Sequence, residues 1–363
     1  MSGPLLPALR PVRSRLAAVR RRARPVAPAA ETAPPESILP YLGLRTAELA
    51  LRGLSRRGAY RLTAPLAAAL TLCWPAHWQG LRANLAVIRP DLDRRGRRRL
   101  LRANVANFLK AWIDVLQMPH RPIADWRQWV TVEGLEHLEA ARAGGHGVIM
   151  VSCHLGAWES AIVSLRQHFP ELALLAERVR PIRCFNWLLR TRTRSGCQVI
   201  PLDVDATRRG DLAAAQRSGA AAVRDIYRVL RRGGVVVMAI DRDLLGTGVP
   251  MPFFGHRVSV PLGAAAIAAR TGAALLPVVV LRQPDDSYLA RGYPPVWIAP
   301  TGPDPVAADR AVRAASGELL RSMEPLLRQH PDQWHVLSPL FGPPMAADRP
   351  DQAPRPPAEE RAC

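Results

Sequence analysis

The chain has 363 residues, 48% hydrophobic and 22% charged, long enough to bury one large core with N-terminal elaboration. Its net charge of +20 favours anionic partners, RNA or anionic lipid, but Lys110 is the only lysine, so part of the basicity is an arginine bias of composition. Five cysteines (Cys73, Cys153, Cys184, Cys197, Cys363), odd in number, without C-x-x-C spacing and without a secretory apolar region, argue against a disulfide framework or a metal site and for a reducing compartment.

Residues 1–36 are rich in proline and arginine and lack apolar periodicity, the pattern of a disordered basic tail, as are residues 346–363. Between them a single domain is expected over 37–345, with helices over 37–120 and an α/β core over 130–341. From Ile38 to Trp78 the chain reads as helical and apolar, interrupted by Arg52, Arg56, Arg57 and Arg61. Its most apolar piece, Leu66 to Trp74, is too short to cross a bilayer, which needs about 20 apolar residues. Arginines near Trp74 and Trp78 suit a helix lying in the membrane interface, and a helix packed on the protein's own core gives the same pattern. Asp93 to Leu116 predicts another helix, basic on one face (Arg94, Arg95, Arg97, Arg98, Arg99, Arg102) and apolar on the other (Leu101, Val105, Phe108, Leu109, Trp112).

Beyond Pro119 and Pro122 short apolar runs alternate with helical stretches, the signature of βαβ units and a mostly parallel sheet flanked by helices. Strands are expected at Val130–Glu133, Val148–Ser152, Leu172–Ala176, Gln198–Leu202, Val235–Ile240, Leu275–Leu281 and Pro295–Ile298. Helices are expected at Trp158–His168, Ile182–Arg194, Ala220–Arg231, Leu262–Arg270 and Val306–Gln329. No G-x-G-x-x-G follows a strand, and there is no Walker lysine, G-x-S-x-G elbow or H-E-x-x-H, which argues against nucleotide-binding, α/β-hydrolase and metalloprotease chemistry.

The run Val148–Ser152 is apolar on both faces, as in a buried parallel strand, and His154 stands just past its C-terminal end. There side chains from several strands converge on ligands in open α/β sheets, so His154 is a candidate general base, against the alternative of a satisfied buried histidine. Cys153 beside it is expected in the core, since neighbours on an extended strand face opposite ways. Two acids compete to orient His154. Glu159 is nearer in sequence, but positions five apart on a helix are about 140° apart, so it reaches only if His154 lies in the turn. A second strand, Val235–Ile240, ends in Asp241, Arg242 and Asp243; if the two strands are neighbours, Asp241 reaches the imidazole directly, and it is the favoured partner. The alternative for Asp241 is a salt bridge with Arg242.

The elements VEGLEHLEAA (132–141), HLGAWE (154–159), AER (176–178), DRDLLGTGVPMPFFG (241–255), P-x-G-A-A-x-I-A-A-R-T-G-A-x-L-L-P-V (261–278) and HPDQWHVLSPLF (330–341) occur in one order. Together they resemble the bacterial lysophospholipid acyltransferase-like family that includes the lipid A biosynthesis acyltransferases, and look most similar to the actinobacterial phosphatidylinositol mannoside acyltransferases. Ala157 stands where many relatives carry asparagine, and Leu340 and Phe341 where they often carry tryptophan. The resemblance implies a glycerolipid acyltransferase-like fold with membrane-associating N-terminal helices, peripheral on the cytoplasmic face of the cell membrane.

It also implies acyl transfer from acyl-CoA, a co-substrate rather than a cofactor, to a sugar hydroxyl of a glycolipid acceptor. His154 would be the base, Asp241 its partner and Glu159 the acid of the histidine motif. Glu177 and Arg192 match site-lining residues. Arg178, Arg180 and Arg192 are candidate phosphate anchors, Asp243 is assigned to substrate binding, and Arg242 or amides near Gly156 are candidate oxyanion donors. A nucleic-acid-binding protein is the reading from another class; the lack of recognition-helix, RNP-like or OB patterns argues against it.

Overall fold

The computed structural model describes residues 36–165 and 171–343. The expected tails lie outside these residues except for Glu36, as does the end of the helix expected to reach His168. Glu36 is anchored: its carboxylate takes Arg180 Nη1 at 2.5 Å and the amide of Ile182 at 2.6 Å.

Five helices come first: α1 (Leu39–Arg52), α2 (Arg56–Arg61), α3 (Thr63–Cys73), α4 (Gln79–Ile88) and α5 (Arg94–Gln117). Asp93 starts α5 by accepting the Gly96 amide at 2.6 Å, satisfying one of the orphan donors of the first turn. The expected polarity of α5 is observed. Its arginines up to Arg102 are exposed, while Leu101 and Val105 are buried against α3 and α4. Among the described residues no helix is long and apolar enough to cross a membrane. Trp74 is exposed, but Trp78 is buried and donates its indole N–H to Leu70 O, so it belongs to the core rather than to a surface belt.

The α/β region follows as α6 (Ile123–Arg127), β1 (Val130–Glu133), α7 (Leu135–Ala143), β2 (Val148–Ser152), α8 (Trp158–Leu165), β3 (Leu172–Glu177), α9 (Ile182–Arg194), β4 (Gln198–Leu202), α10 (Val204–Arg208), α11 (Leu212–Leu230), β5 (Val235–Ala239), the hairpin β6 (Val249–Phe253) and β7 (His256–Val260), α12 (Gly263–Thr271), β8 (Ala274–Arg282), β9 (Tyr288–Gly292) and α13 (Pro305–Gln329). The main sheet has seven strands in the order β1-β9-β8-β2-β5-β3-β4, and only β8 and β9 pair antiparallel.

One expectation is corrected. Pro295–Ile298 is not a strand; only Val296 pairs, with Leu275 of β8, because the prolines before and after it supply no ladder donors. The strand of that region is β9, whose sequence YLARG is too short and mixed to show a period, and which forms because β1 and β8 both pair with it. The β6–β7 hairpin, too, was not expected.

β2 is the central strand and all five of its residues are buried, as an uninterrupted apolar run predicts. Its faces divide the core: Ile149 and Val151 point to the cluster under α11–α13, Val148 and Met150 to the cluster under α7–α9. β2 and β5 run parallel with Ser152 opposite Ala239. Continuing that register two residues past each end sets His154 beside Asp241.

After β2 the chain turns through Gly156, whose φ of +75° suits glycine, and whose amide donates to Gln333 O at 2.7 Å. A Cβ there would lie 1.6 Å from Val280 O, a backbone atom that cannot move aside. Gly156→Ala should therefore cost about 3 kcal/mol or more of stability, or prevent folding, measured by denaturant titration. Gly145→Ala has the same sign of φ (+76°) but open space around it, and should cost only about 1 kcal/mol.

Candidate active site

His154 sits just beyond β2 with its side chain 26% exposed, and Asp241 beyond β5 with its side chain fully buried. The carboxylate is held at both oxygens. Oδ1 faces His154 Nδ1 at 2.7 Å; Oδ2 accepts the His154 backbone N–H at 2.7 Å and the Trp334 indole N–H at 2.9 Å. With both of its donors on Oδ2 fixed, the carboxylate cannot rotate, so Oδ1 is aimed at the ring. Burial pushes the Asp241 carboxyl up, but the His154 imidazole and the hydrogen bonds from His154 and Trp334 outweigh it and hold its pKa below the ordinary carboxylate value. An ionised acceptor on Nδ1 keeps the ring proton there and leaves Nε2, which makes no hydrogen bond among the described residues, with a free lone pair.

Trp334 arrives from the far end of the chain, in the segment HPDQWHVLSP, and three asparagines of the N-terminal helices hold that segment. Asn84 Nδ2 donates to Val336 O at 2.9 Å and Ser338 O at 2.8 Å; Asn104 Nδ2 donates to Pro331 O and Trp334 O, both at 2.9 Å; Asn107 Nδ2 donates to Asp332 O at 3.1 Å. The amide of His335 in turn donates to His154 O at 2.8 Å. Burial, followed by the charges of Arg282 and His154, lowers the His335 ring to about 3, so it is neutral and poorly suited to act as a second base. The HPDQWH run by itself gives Trp334 no role; the signal it carries is an indole N–H that must find a partner when buried.

The remaining residues of interest fall elsewhere. Glu159, in the first turn of α8, is turned onto Arg192 of α9, which reaches it with Nε at 3.1 Å and with Nη2. Burial alone would lower the pKa of Arg192; the Glu159 charge and hydrogen bond more than reverse this. The pair is therefore a latch between two helices, with Arg192 stacked over the Trp158 ring at 5.4 Å, rather than a relay to His154 or an open phosphate anchor. Glu177 pairs with Arg208 at 3.1 Å, Arg178 lies 3.8 Å from Asp203, and Arg180 pairs with Glu36 and Asp205, so these form a network at the ends of β3 and β4.

Asp243 folds its own loop, accepting the Gly248 amide at 2.8 Å and the Ser259 hydroxyl at 2.7 Å. The amides near Gly156 are occupied: Leu155 N by Cys153 O, Gly156 N by Gln333 O and Ala157 N by Val280 O. These three amides are therefore committed within the protein. Arg242, half-buried beside Asp241 in sequence, makes no hydrogen bond or ion pair among the described residues, so the alternative of a salt bridge to Asp241 does not form. Cys153 is in the core, and burial, then the Asp241 charge, raises its thiol well above the ordinary range, so it stays protonated and does not serve as a nucleophile. Among the described residues no group of three or more His, Cys, Asp or Glu is arranged to hold a metal.

With this geometry in hand, three comparisons bear on the chemistry. The family described as bacterial lipid A biosynthesis acyltransferase matches residues 33–342. A phosphatidylinositol mannoside acyltransferase of Mycobacterium tuberculosis is 30% identical over 249 residues, 67% of this chain and 70% of that one. The lipid A biosynthesis lauroyltransferase of Escherichia coli is 25% identical over 225 residues, 60% of this chain and 64% of that one.

Glu159→Gln removes the charge that partners a buried guanidinium, and should lower stability by about 2 kcal/mol while leaving turnover per folded molecule close to wild type. Thermal unfolding alongside active-site-normalised rates checks this; a large fall in turnover at unchanged stability would return Glu159 to the catalytic set.

Proposed function

The chain belongs to the bacterial lipid A biosynthesis acyltransferase family and is an acyltransferase; from that premise we propose that it moves a fatty acyl chain from acyl-CoA to a sugar hydroxyl of mannosylated phosphatidylinositol. The observation that carries this is the buried Asp241 carboxylate on Nδ1 of a partly exposed His154. Such a pair presents a basic Nε2 to a hydroxyl, the requirement for an alcohol to attack a thioester without an acyl-enzyme.

In the proposed reaction, Nε2 takes the hydroxyl proton as the sugar oxygen bonds to the thioester carbonyl carbon. Asp241 stabilises the imidazolium that forms, and the negative charge develops on the carbonyl oxygen. Arg242, uncommitted elsewhere, is the candidate to meet that oxygen. Collapse of the tetrahedral species breaks the C–S bond, and the CoA thiolate leaves with the proton returned from Nε2. The higher identity to the mannoside acyltransferase than to the lauroyltransferase, 30% against 25%, favours the mannosylated acceptor; a lipid A-type or other glycolipid is the alternative.

We place the enzyme at the cytoplasmic face of the cell membrane as a peripheral protein. Supporting this are the exposed apolar side chains of the N-terminal helices, among them Leu39, Leu49, Leu72 and Trp74, and the exposed arginines of α5, which together suit an anionic lipid surface.

Purified protein incubated with radiolabelled palmitoyl-CoA and a panel of glycolipids should label phosphatidylinositol mannosides. His154→Ala should abolish transfer. In Asp241→Asn the oxygen stays with its two N–H donors and the new NH₂ faces Nδ1, forcing the ring proton onto Nε2. Turnover should then fall about 10⁴-fold with KM nearly kept, the size of loss seen for the same change in a serine-protease triad. Normal turnover by His154→Ala would remove His154 from the mechanism, and normal turnover by Asp241→Asn would remove Asp241 as its partner.

A further inference from the structure

Trp334 is 0% exposed, so no substrate touches its ring, yet its indole N–H lies 2.9 Å from Oδ2 of the acid that partners His154. The backbone on either side of it is locked to the turn that carries His154. The amide of Gly156 donates to Gln333 O at 2.7 Å and the amide of His335 to His154 O at 2.8 Å, which sets Trp334 opposite Leu155 in a single antiparallel bridge. Asn104 Nδ2 holds Trp334 O at 2.9 Å, and the Phe341 ring lies 6.1 Å from the indole. These contacts close a loop that runs from the His154 backbone to residues 333–335, through the indole to Asp241, and from Oδ1 back to the His154 ring.

The terminal torsion of an aspartate is soft. With the His154 N–H as its only anchor, Oδ2 would be a pivot, and Oδ1 would be free to swing away from Nδ1. A second donor, arriving from a separate segment of chain, removes that freedom. It also offsets part of the cost of keeping a charge on a fully buried side chain.

We propose that Trp334 is a positioning residue for acyl transfer: by fixing Asp241 through Oδ2 it keeps Oδ1 on Nδ1, and so holds the His154 ring in the tautomer whose Nε2 is free to take a proton. The proposal rests on the general-base reading above and extends it to a side chain that never meets the substrate.

The test records proton–nitrogen spectra of the full chain labelled with ¹⁵N-histidine, alongside kinetics with palmitoyl-CoA and phosphatidylinositol mannoside. The His154 signals are assigned by their absence in His154→Ala. Wild type should carry the ring proton on Nδ1. Trp334→Phe removes the N–H and keeps an aromatic ring; it should move a measurable share of that proton to Nε2. Its kcat should fall about tenfold to a hundredfold, the range for one hydrogen bond to a charged group, with KM kept within about twofold. On an Asp241→Asn background the same change should add less than about twofold, because the acid it acts through is already lost. Trp187→Phe is the matched control, since that buried indole also donates to a buried carboxylate at 2.9 Å, Oε2 of Glu48 in α1. It should lower the unfolding midpoint to a similar degree and leave both tautomer and kcat unchanged. If Trp334→Phe does not fold, Trp334→3-benzothienylalanine, with sulfur in place of the N–H at nearly the same shape, takes its place.

Retention of the Nδ1–H tautomer and of kcat without the indole N–H would overturn the proposal. An equal effect of Trp187→Phe would do so too, by reducing the loss to general stability. A further tenfold loss on the Asp241→Asn background would give Trp334 a role apart from Asp241 and overturn it as well. The histidine spectra need no substrate, so absence of transfer by wild type would count against the acyl-transfer reading alone, and the tautomer would still decide this one.

Discussion

The arrangement of this molecule depends on one carboxylate and the three hydrogen-bond donors that converge on it. Asp241 is buried, so an unpartnered charge there would be severely unfavourable, and its donors come from two distant parts of the chain: the imidazole and backbone of His154, and the indole of Trp334. The third donor is available only if residues 331–338 lie against the end of β2, and that segment is held by Asn84, Asn104 and Asn107 of α4 and α5. The N-terminal helices are thus structural parts of the catalytic end of the sheet, whatever further role their exposed faces have at a membrane.

A second buried charge cluster supports the same segment from behind. Asp114 of α5, fully buried, accepts from Arg56, Arg282, Tyr60 and Tyr288, and so joins α2, α5, β8 and β9. Burial and the Asp114 charge both raise the Tyr60 and Tyr288 hydroxyls above the ordinary range, keeping them protonated as donors. Arg56 and Arg282 also lie over the tyrosine rings at 4.9–5.0 Å. Such a cluster contributes less to net stability than an apolar core of its volume would, because desolvation offsets much of the attraction; its use is to specify one packing. Arg282 then carries that specification forward. Its backbone exchanges two hydrogen bonds, at 2.8 and 2.9 Å, with the side-chain amide of Gln333, the residue before Trp334.

The two acids that competed for His154 illustrate how different environments divide similar groups. Asp241 follows a strand and inherits the β2–β5 register, so it meets the imidazole. Glu159 follows the turn at Gly156, and the helix that begins at Trp158 carries it to α9, where Arg192 waits. One carboxylate sets a tautomer and the other joins two helices. The difference lies in which element presents each group.

Much of this was legible in the sequence because it rests on local periodicity. A run apolar on both faces is buried whatever surrounds it, so β2 as a central strand, β5, the helical α9 and α13 and the placement of His154 and Asp241 just past strand ends could all be read before any contact was known. The two-faced α5 and the buried Cys153 were legible for related local reasons. The tertiary structure decided what depends on distant partners. β9 exists because two neighbours pair with its mixed sequence, and Trp78 is core rather than surface because the helices fold over it. Arg192 neutralises Glu159 across 33 positions of chain. Trp334, Asn84 and Asn104 meet the site from residues up to 254 positions apart, at separations where no spacing rule operates. Sequence determines which groups stand at the ends of regular elements, since backbone geometry alone carries them there; which of those groups meet is set by register and packing, which only the folded chain fixes.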